Sequence, residues 1–131
     1  MTMRGDFTLR FFQEELGDIA GQLSKPGFLF KGNESSKKEF EIEGNPTGGY
    51  LLMQVYDVHK SKHSVKINGN NLPGSSEVHG QPNTWETWME EIPSGFLKKG
   101  NNSIQFFRDK DTSVKDNFLV AAVAIHWRES D

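Results

Sequence analysis

The feature that most limits how this chain can fold is a succession of short apolar or alternating runs, each bounded by Gly, Asn, Pro or Ser. In Lys38–Glu43, Phe40 and Ile42 point to one face and glutamates to the other, as a half-buried strand requires. Only Gln13–Leu23 favours a short helix or turn, and glycines interrupt it. The pattern predicts an all-β fold, a two-sheet antiparallel β-sandwich of about eight strands with at most one short helix.

Two of the runs are apolar on both faces. Tyr50–Val58 therefore predicts a central strand between two packed layers. Asn117–Trp127 is rich in small and β-branched residues and favours a strand that ends on a core Trp127, although periodicity alone leaves a buried helix open. The predicted strands are Phe7–Phe12, Phe28–Phe30, Lys38–Glu43, Tyr50–Val58, Val65–Ile67, Trp85–Ile92, Ser103–Arg108 and Asn117–Trp127.

Length and composition narrow the class of protein. A chain of 131 residues fits one domain, 1–131, and a domain of this size buries about two-thirds of its unfolded surface. With 15 basic and 18 acidic residues, the formal charge is -3, so no broad positive field favours nucleic acid as a partner.

Cysteine is absent, which excludes disulfides, thiolate nucleophiles and cysteine-bound zinc. No run reaches the roughly 18 apolar residues of a membrane span and no signal peptide is visible, so we expect no membrane partner and, by default, a cytoplasmic protein.

The stretch Ser64–Gly74 reads SVKINGNNLPG and places an Asn-Gly pair directly after a Val-x-Ile alternation. Asn68 and Gly69 supply positive φ at low cost. They therefore predict a two-residue turn whose twist suits the strands on either side.

A second segment, IPSGFLKKGNN, follows the run that ends at Ile92. Pro93 removes a ladder donor and so ends the preceding strand. Leu97 is predicted to close the end of the core, and Gly100 to permit a left-handed reversal into the next strand. Asn102 is predicted to hydrogen-bond loop backbone that would otherwise be unpaired near the core.

Residues 50–128 resemble the galactose-binding-like jelly-roll domains, a superfamily of β-sandwiches found as carbohydrate-binding modules and as accessory domains of glycoside hydrolases. The resemblance rests on the succession YLLMQVYDV, VKINGNNLP, EEIPSGFLKKGNNSIQFF and DNFLVAAVAIHW. It implies a jelly-roll sandwich that serves as a non-catalytic binding module. Several members carry a structural calcium near the opening loop and the last strand. Asp6, Glu39 and Asp116 could contribute oxygens to such a calcium, but no ligand set aligns onto the sequence. We therefore leave the metal site unassigned and expect no cofactor other than that calcium.

The histidines and glutamates do not predict a catalytic site. His59 and His63 are four apart, which would suit a metal on a helix, but at a strand end we predict an exposed polar loop. Glu86 and Glu90 share a strand face about 13 Å apart, at roughly 3.3 Å per residue, too far for a glycosidase pair by themselves. We interpret them as solvated outer-face glutamates and predict that the protein is not an enzyme.

Trp85 and Trp88 are the strongest candidates for ligand binding in the sequence. Their odd separation puts the two indoles on opposite faces of a strand, so at most one faces the core. Exposed aromatic faces pack against the C-H face of sugar rings, while polar side chains at the rim bind the hydroxyls. We therefore predict a ligand-binding rim of Trp85, His79, Gln81 and Asn83. The alternative is that both indoles pack, one in the core and one under a loop or against a partner chain.

Two functions therefore stay open. The first is a non-catalytic module that binds carbohydrate or a similar polar ligand. The second is a structural or assembly subunit that uses an exposed sheet face for homo-oligomerisation or for contact with a protein partner. A hydrolase built on carboxylates is the least favoured hypothesis.

Overall fold

A computed structural model describes residues 2–23, 25–59, 62–73, 78–109 and 116–131. Within these ranges the chain forms nine strands, and no helix there is long and apolar enough to cross a membrane. The strands are β1 (Met3–Leu16), β2 (Leu29–Gly32), β3 (Lys38–Ile42), β4 (Asn45–Tyr56), β5 (Ser64–Ile67), β6 (Asn70–Asn71), β7 (Trp85–Ile92), β8 (Gly100–Phe107) and β9 (Phe118–Ser130).

The strands form two sheets, which confirms the predicted β-sandwich. The five-stranded sheet has the order β2-β1-β9-β4-β7, and the four-stranded sheet has the order β3-β8-β5-β6. Neighbouring strands are antiparallel except for β1 and β2, which are parallel. The parallel pair and the short β6 are the two departures from the predicted arrangement.

The core lies between the inner faces of the two sheets. β4 contributes Leu51 and Met53, and β8 contributes Ile104 and Phe106 from the opposite sheet, all fully buried. Phe12 of β1 meets Phe106 edge-on, with ring centroids 5.2 Å apart, and so links the two layers. Burying a side chain of this size stabilises the fold by roughly 1.5–3 kcal/mol.

The predicted Asn-Gly turn connects β5 to β6. Asn68 and Gly69 have φ values of 53° and 81°, as a two-residue hairpin turn of this kind requires. The Asn68 side chain donates to Phe96 O at 2.9 Å and to Asn102 Oδ1 at 2.8 Å, and its Oδ1 accepts from Ser103 N at 2.9 Å. The turn is therefore fastened to the start of β8 and to the loop before it.

The segment after β7 also takes its predicted form. Pro93 follows the last residue of β7, Leu97 is buried, and Gly100 has a φ of 94°. Asn102 Nδ2 donates to Lys98 O at 2.7 Å and to Gly100 O at 3.0 Å, while Lys98 N donates to Asn102 Oδ1 at 3.0 Å. The strand end, the core plug, the left-handed reversal and the loop-binding asparagine are all confirmed.

Two ambiguous segments are settled by sheet pairing. Gln13–Leu23 contains no helix, because its first four residues extend β1 and the rest forms bends and turns. Asn117–Trp127 is strand rather than helix, since β9 pairs with β1 on one side and with β4 on the other. The backbone N-H and C=O groups of β9 therefore have hydrogen-bond partners on both neighbouring strands. Trp127 is buried, as predicted.

The outer face of the five-stranded sheet carries apolar side chains. Leu9, Ala124, Leu52 and Met89 form one row across four strands, because each is directly paired with the next. Met89 and Tyr50 are exposed on this face. The prediction that two packed layers enclose β4 is therefore wrong on the outer side of the sheet.

Candidate ligand-binding site

Trp85 stands at one end of the outer face of the five-stranded sheet. Its indole contacts Tyr56 of β4 and Phe28 from the segment before β2, with ring centroids 5.2 Å and 5.9 Å away. Lys25 places its Nζ 4.7 Å from the centroid of the Tyr56 ring. Beside these rings lies a pocket of about 300 Å³. It is lined by Gln13, Phe28, Gln54, Trp85, Glu86, Thr87 and Ala121.

Two irregularities in strand pairing shape this pocket. The register of β1 with β9 shifts between Phe11 and Glu14, and that of β4 with β9 shifts between Met53 and Val55. Gln13 lies within the first shift and has a φ of 51°. This left-handed conformation costs a residue with a Cβ roughly 1–2 kcal/mol. Bulges re-aim side chains and are over-represented next to functional sites, and here the bulge turns Gln13 to the pocket.

The pocket combines aromatic surface with mostly uncharged hydrogen-bonding groups. Gln13 and Gln54 carry amides that both donate and accept, and Thr87 adds a hydroxyl. Glu86 is the single acidic residue among the described residues that line the pocket, and its side chain lies on the opposite face of β7 from Trp85. The arrangement suits a ligand with one apolar face and hydroxyl groups along its edges.

His79 lies with Trp88 on the other face of β7 from Trp85. The His79 and Trp88 ring centroids are 4.5 Å apart, and His79 Nε2 is 3.6 Å from Glu90 Oε1. Trp85 and Trp88 occupy opposite faces, as their spacing predicts, yet both are half-exposed, at 45% and 40%, because β7 is an edge strand. Glu86 and Glu90 share the face of Trp88 and are half-buried, so their interpretation as outer-face glutamates is wrong.

Gln81 and Asn83 lie in the segment that leads into β7, and both are exposed. Asn83 has a φ of 60° and donates its backbone N-H to Asp57 Oδ1 at 2.7 Å. Neither residue lines the pocket beside Trp85. The structure instead brings Phe28 and Gln13 to Trp85, and no local pattern in the sequence links these distant segments.

The histidine pair in HKSKH does not form a uniformly exposed loop. His63 is buried, with Nε2 2.8 Å from Asp116 Oδ2 and its ring stacked on Phe118 at 4.1 Å. Its Nδ1 accepts the backbone N-H of Asp109 at 2.8 Å. The prediction is correct for His59, which is exposed, and wrong for His63, whose partners come from far along the chain.

The three carboxylates considered for calcium do not converge. Asp6 and Glu39 line one shallow groove, whereas Asp116 lies near the other end of β9 and is engaged with His63. Across the part of the chain that the structure describes, no group of three or more His, Cys, Asp or Glu side chains is placed to hold a metal ion.

Residues 4–129 match a protein family described as a family of unknown function (DUF7383). The chain belongs to this family. No curated protein matches its sequence.

Solved structures similar to this DUF7383 chain include two modules matched over nearly their whole length. The carbohydrate-binding module CBM36 in complex with calcium and xylotriose is 14% identical with a TM-score of 0.54, and the match covers 95% of this chain and 99% of that one. The CBM36-1 domain of a multidomain xylanase from the hindgut metagenome of Trinervitermes trinervoides is 14% identical with a TM-score of 0.52, covering 92% and 96%. These likenesses show a shared fold, the galactose-binding-like β-sandwich.

A third similar structure is much larger than this DUF7383 chain. The cycloalternan-forming enzyme from Listeria monocytogenes, in complex with pentasaccharide substrate, is 17% identical with a TM-score of 0.50. The match covers 70% of this chain but 8% of the enzyme. The matches that extend along both partners are therefore to non-catalytic modules, and this chain spans a small part of the enzyme's length.

Proposed function

We propose that this protein is a non-catalytic carbohydrate-binding module whose site is the pocket beside Trp85. The observation that carries the proposal is a half-exposed indole bordering a pocket whose polar lining groups are mostly neutral amides and a hydroxyl. Sugar rings present an apolar C-H face and hydroxyl edges, which is the complement of such a lining. The fold shared with carbohydrate-binding modules supports the same function by analogy.

The dimensions of the pocket favour a single sugar ring. Its volume of about 300 Å³ is at the lower limit of ordinary small-molecule sites. Trp85 would cover one face of the ring, and Gln54 and Thr87 on neighbouring strands would bind hydroxyls. The bulge in β1 fixes the backbone of Gln13 beside the pocket, so no backbone rearrangement is needed to bring its amide to the ligand.

The lining also favours binding over hydrolysis. Glycoside hydrolysis takes a pair of carboxyl groups roughly 5–10 Å apart on either side of the scissile bond. Glu86 is the one acidic residue among the described lining residues, and its carboxylate lies on the opposite face of β7 from Trp85. Glu90, the next acid on the same face of β7, is about 13 Å away along the strand, which is too far to complete such a pair.

A matched pair of substitutions tests the proposal. Trp85→Ala and Trp88→Ala each remove one half-exposed indole from the same strand, but only Trp85 borders the pocket. The wild-type protein is screened against a broad glycan panel, and its best ligand is titrated by intrinsic tryptophan fluorescence or calorimetry. We expect Trp85→Ala to weaken binding by about tenfold or more, or about 1.4 kcal/mol, and Trp88→Ala to leave it within about twofold. A panel with no bound glycan, or a glycan that binds both variants like wild type, would contradict the proposal.

A second candidate function is assembly through the outer sheet face. Leu9, Phe11 and Met89 are 48%, 63% and 59% exposed on this face. Large exposed apolar patches mark protein contacts more often than free surface. As the alternative, we propose that two copies pair through this face.

Sedimentation or light scattering over a range of concentrations tests the alternative. Leu9→Glu should shift a dimer toward monomer, whereas Leu29→Glu, at the exposed edge strand β2, should not. A wild-type protein that stays monomeric at high concentration would rule out pairing.

A further inference from the structure

A second pocket lies at the opposite end of the outer face, where the beginning of β1, the first half of β4 and the end of β9 meet. It encloses about 530 Å³. Tyr50 borders this pocket, and Tyr56 contacts Trp85 at the other end. The two tyrosines are six positions apart along β4, or about 20 Å at roughly 3.3 Å per residue. The second pocket is therefore separate from the one beside Trp85.

A row of three stacked rings forms one side of the second pocket. The Phe7 and His126 ring centroids are 5.6 Å apart with 21° between the planes, and those of His126 and Tyr50 are 4.7 Å apart with 9°. The residues are directly paired across β1, β9 and β4, so all three rings stand on the outer face. Phe7 and Tyr50 are exposed, which leaves apolar ring surface available beside the pocket.

Glycines keep the floor of the pocket free of side chains, but for different reasons. A Cβ at Gly49 would lie 1.9 Å from His126 O, so the close approach of β4 and β9 requires glycine there. A Cβ at Gly5 would meet nothing within 4 Å. Glycine inside a strand weakens it and often marks the close approach of a ligand. Within the described parts of the chain, no packing contact requires glycine at this position, so the space above Gly5 is open to a ligand.

Arg128 supplies a positive charge at the edge of the pocket. It is exposed and lies directly opposite Gly5 on the neighbouring strand. The other arginines are engaged: Arg4 binds Asp131, Arg10 donates to the backbone of Glu39, and Arg108 binds Asp18. Among the described residues, none forms a hydrogen bond or ion pair with the Arg128 guanidinium.

Asp6, the one acid among the described residues that line the second pocket, already has neighbours. Asp6 Oδ1 accepts the backbone N-H of Phe7 at 2.8 Å. The pKa of Arg4 is raised above its ordinary value, chiefly by the hydrogen bond to Asp131, and the carboxylates of Glu129 and Asp6 add to the rise. Asp6 therefore has a nearby counter-charge in Arg4, and Arg128 remains for a ligand.

We propose that this pocket binds a six-membered ring that carries a carboxylate, with the ring beside the Phe7-His126-Tyr50 row and the carboxylate on Arg128. The planar guanidinium matches a carboxylate with two parallel hydrogen bonds. The open floor at Gly5 leaves room for the ring next to that charge. The inference goes beyond the proposed function, because it requires nothing of the pocket beside Trp85. An acidic sugar and an aromatic acid both offer this chemistry.

Three probes distinguish an acidic sugar from an aromatic acid as the ligand. The full chain is titrated with glucuronate, glucose and benzoate by calorimetry or NMR. Glucuronate and glucose share a ring and differ in the carboxylate, so we expect glucuronate to bind about tenfold tighter or more, or about 1.4 kcal/mol. Binding of benzoate with no preference for glucuronate over glucose supports the site and identifies an aromatic acid as its source. If glucuronate binds no tighter than glucose and benzoate does not bind, the proposal is overturned.

Two substitutions test whether the probe binds in this pocket. Arg128→Gln removes the charge, and Gly5→Ile fills the floor with a side chain suited to a strand. Both positions are on the exposed outer face, and a thermal melt checks that each variant is folded. We expect each substitution to reduce binding of the preferred probe by about tenfold or more. Trp88→Ala removes an indole that borders neither of the two pockets, so it is the control and should leave binding of the probe unchanged. A probe that binds both variants like wild type, or that is lost only in Trp85→Ala, overturns the proposal.

Discussion

His63 and Asp116 form a buried pair in which both side chains are 1% exposed and Nε2 lies 2.8 Å from Oδ2. Because Asp109 donates its backbone N-H to His63 Nδ1, that nitrogen is an acceptor and the proton of the neutral ring is on Nε2. Asp116 Oδ2 also accepts the backbone N-H of His59 at 3.0 Å. One carboxylate thus fastens the segment after β4 to the start of β9.

Asp116→Ala should destabilise the protein, because it leaves the His63 Nε2-H and the His59 N-H without their acceptor. Leaving a buried polar group unsatisfied costs about 1–3 kcal/mol. Urea denaturation should show a loss of this size in the free energy of unfolding. Asp131→Ala, which removes an exposed carboxylate, should change it by less than about 0.5 kcal/mol. Equal effects of the two substitutions would mean that the buried pair contributes little.

The sandwich was predictable from the sequence where short-range chemistry decides the structure. Alternation in Lys38–Glu43 and the turn at Asn68–Gly69 each depend on neighbouring residues, and both appear as predicted. The burial of His63 depends on Asp116, which is 53 residues away, and HKSKH contains no trace of that contact. Local pattern therefore gives the strands and turns but not the polar contacts between distant loops.

Asn102→Ala tests the loop-fastening role of this buried asparagine. Its side chain binds Lys98 N, Lys98 O, Gly100 O and Asn68 Nδ2, so truncation leaves several polar groups unpaired near the core. We expect the free energy of unfolding to fall by about 2 kcal/mol or more. Asn101→Ala, at the exposed neighbouring position, should be close to neutral. A similar loss in both variants would show that the stability lost comes from β8 itself rather than from the side-chain hydrogen bonds of Asn102.

Gly69→Ala tests the backbone requirement of the β5–β6 turn. A Cβ at Gly69 would meet nothing within 4 Å, so the cost comes from its φ of 81° alone. We expect the free energy of unfolding to fall by about 1–2 kcal/mol. Gly5→Ala is the control, since its Cβ also meets nothing within 4 Å and its φ lies outside the left-handed region. If Gly69→Ala proved as harmless as Gly5→Ala, the turn would not depend on glycine.

The candidate site was predictable only in part. The odd spacing of Trp85 and Trp88 correctly puts them on opposite faces of β7, because alternation along a strand is local. The companions of Trp85 were not predictable, since Phe28 arrives from the segment before β2 and Gln13 from a bulge in β1. A bulge changes which face a residue takes, and alternation in the sequence assumes that none is present.

Gln13→Gly separates the functional role of this residue from its structural one. The φ of 51° costs a residue with a Cβ roughly 1–2 kcal/mol, and glycine removes this cost. Glycine in turn adds an entropic cost of about 0.5–1 kcal/mol, because it loses more backbone freedom on folding. The variant should therefore unfold at the same or a slightly higher urea concentration than wild type. The ligand that binds beside Trp85 should bind about tenfold more weakly, because the pocket loses an amide that donates and accepts hydrogen bonds. Gln13→Asn, which tolerates the same backbone conformation but has a shorter side chain, should also weaken binding, with a smaller gain in stability than Gln13→Gly. A Gln13→Gly variant that is less stable and binds normally would show that the bulge serves folding instead of the pocket.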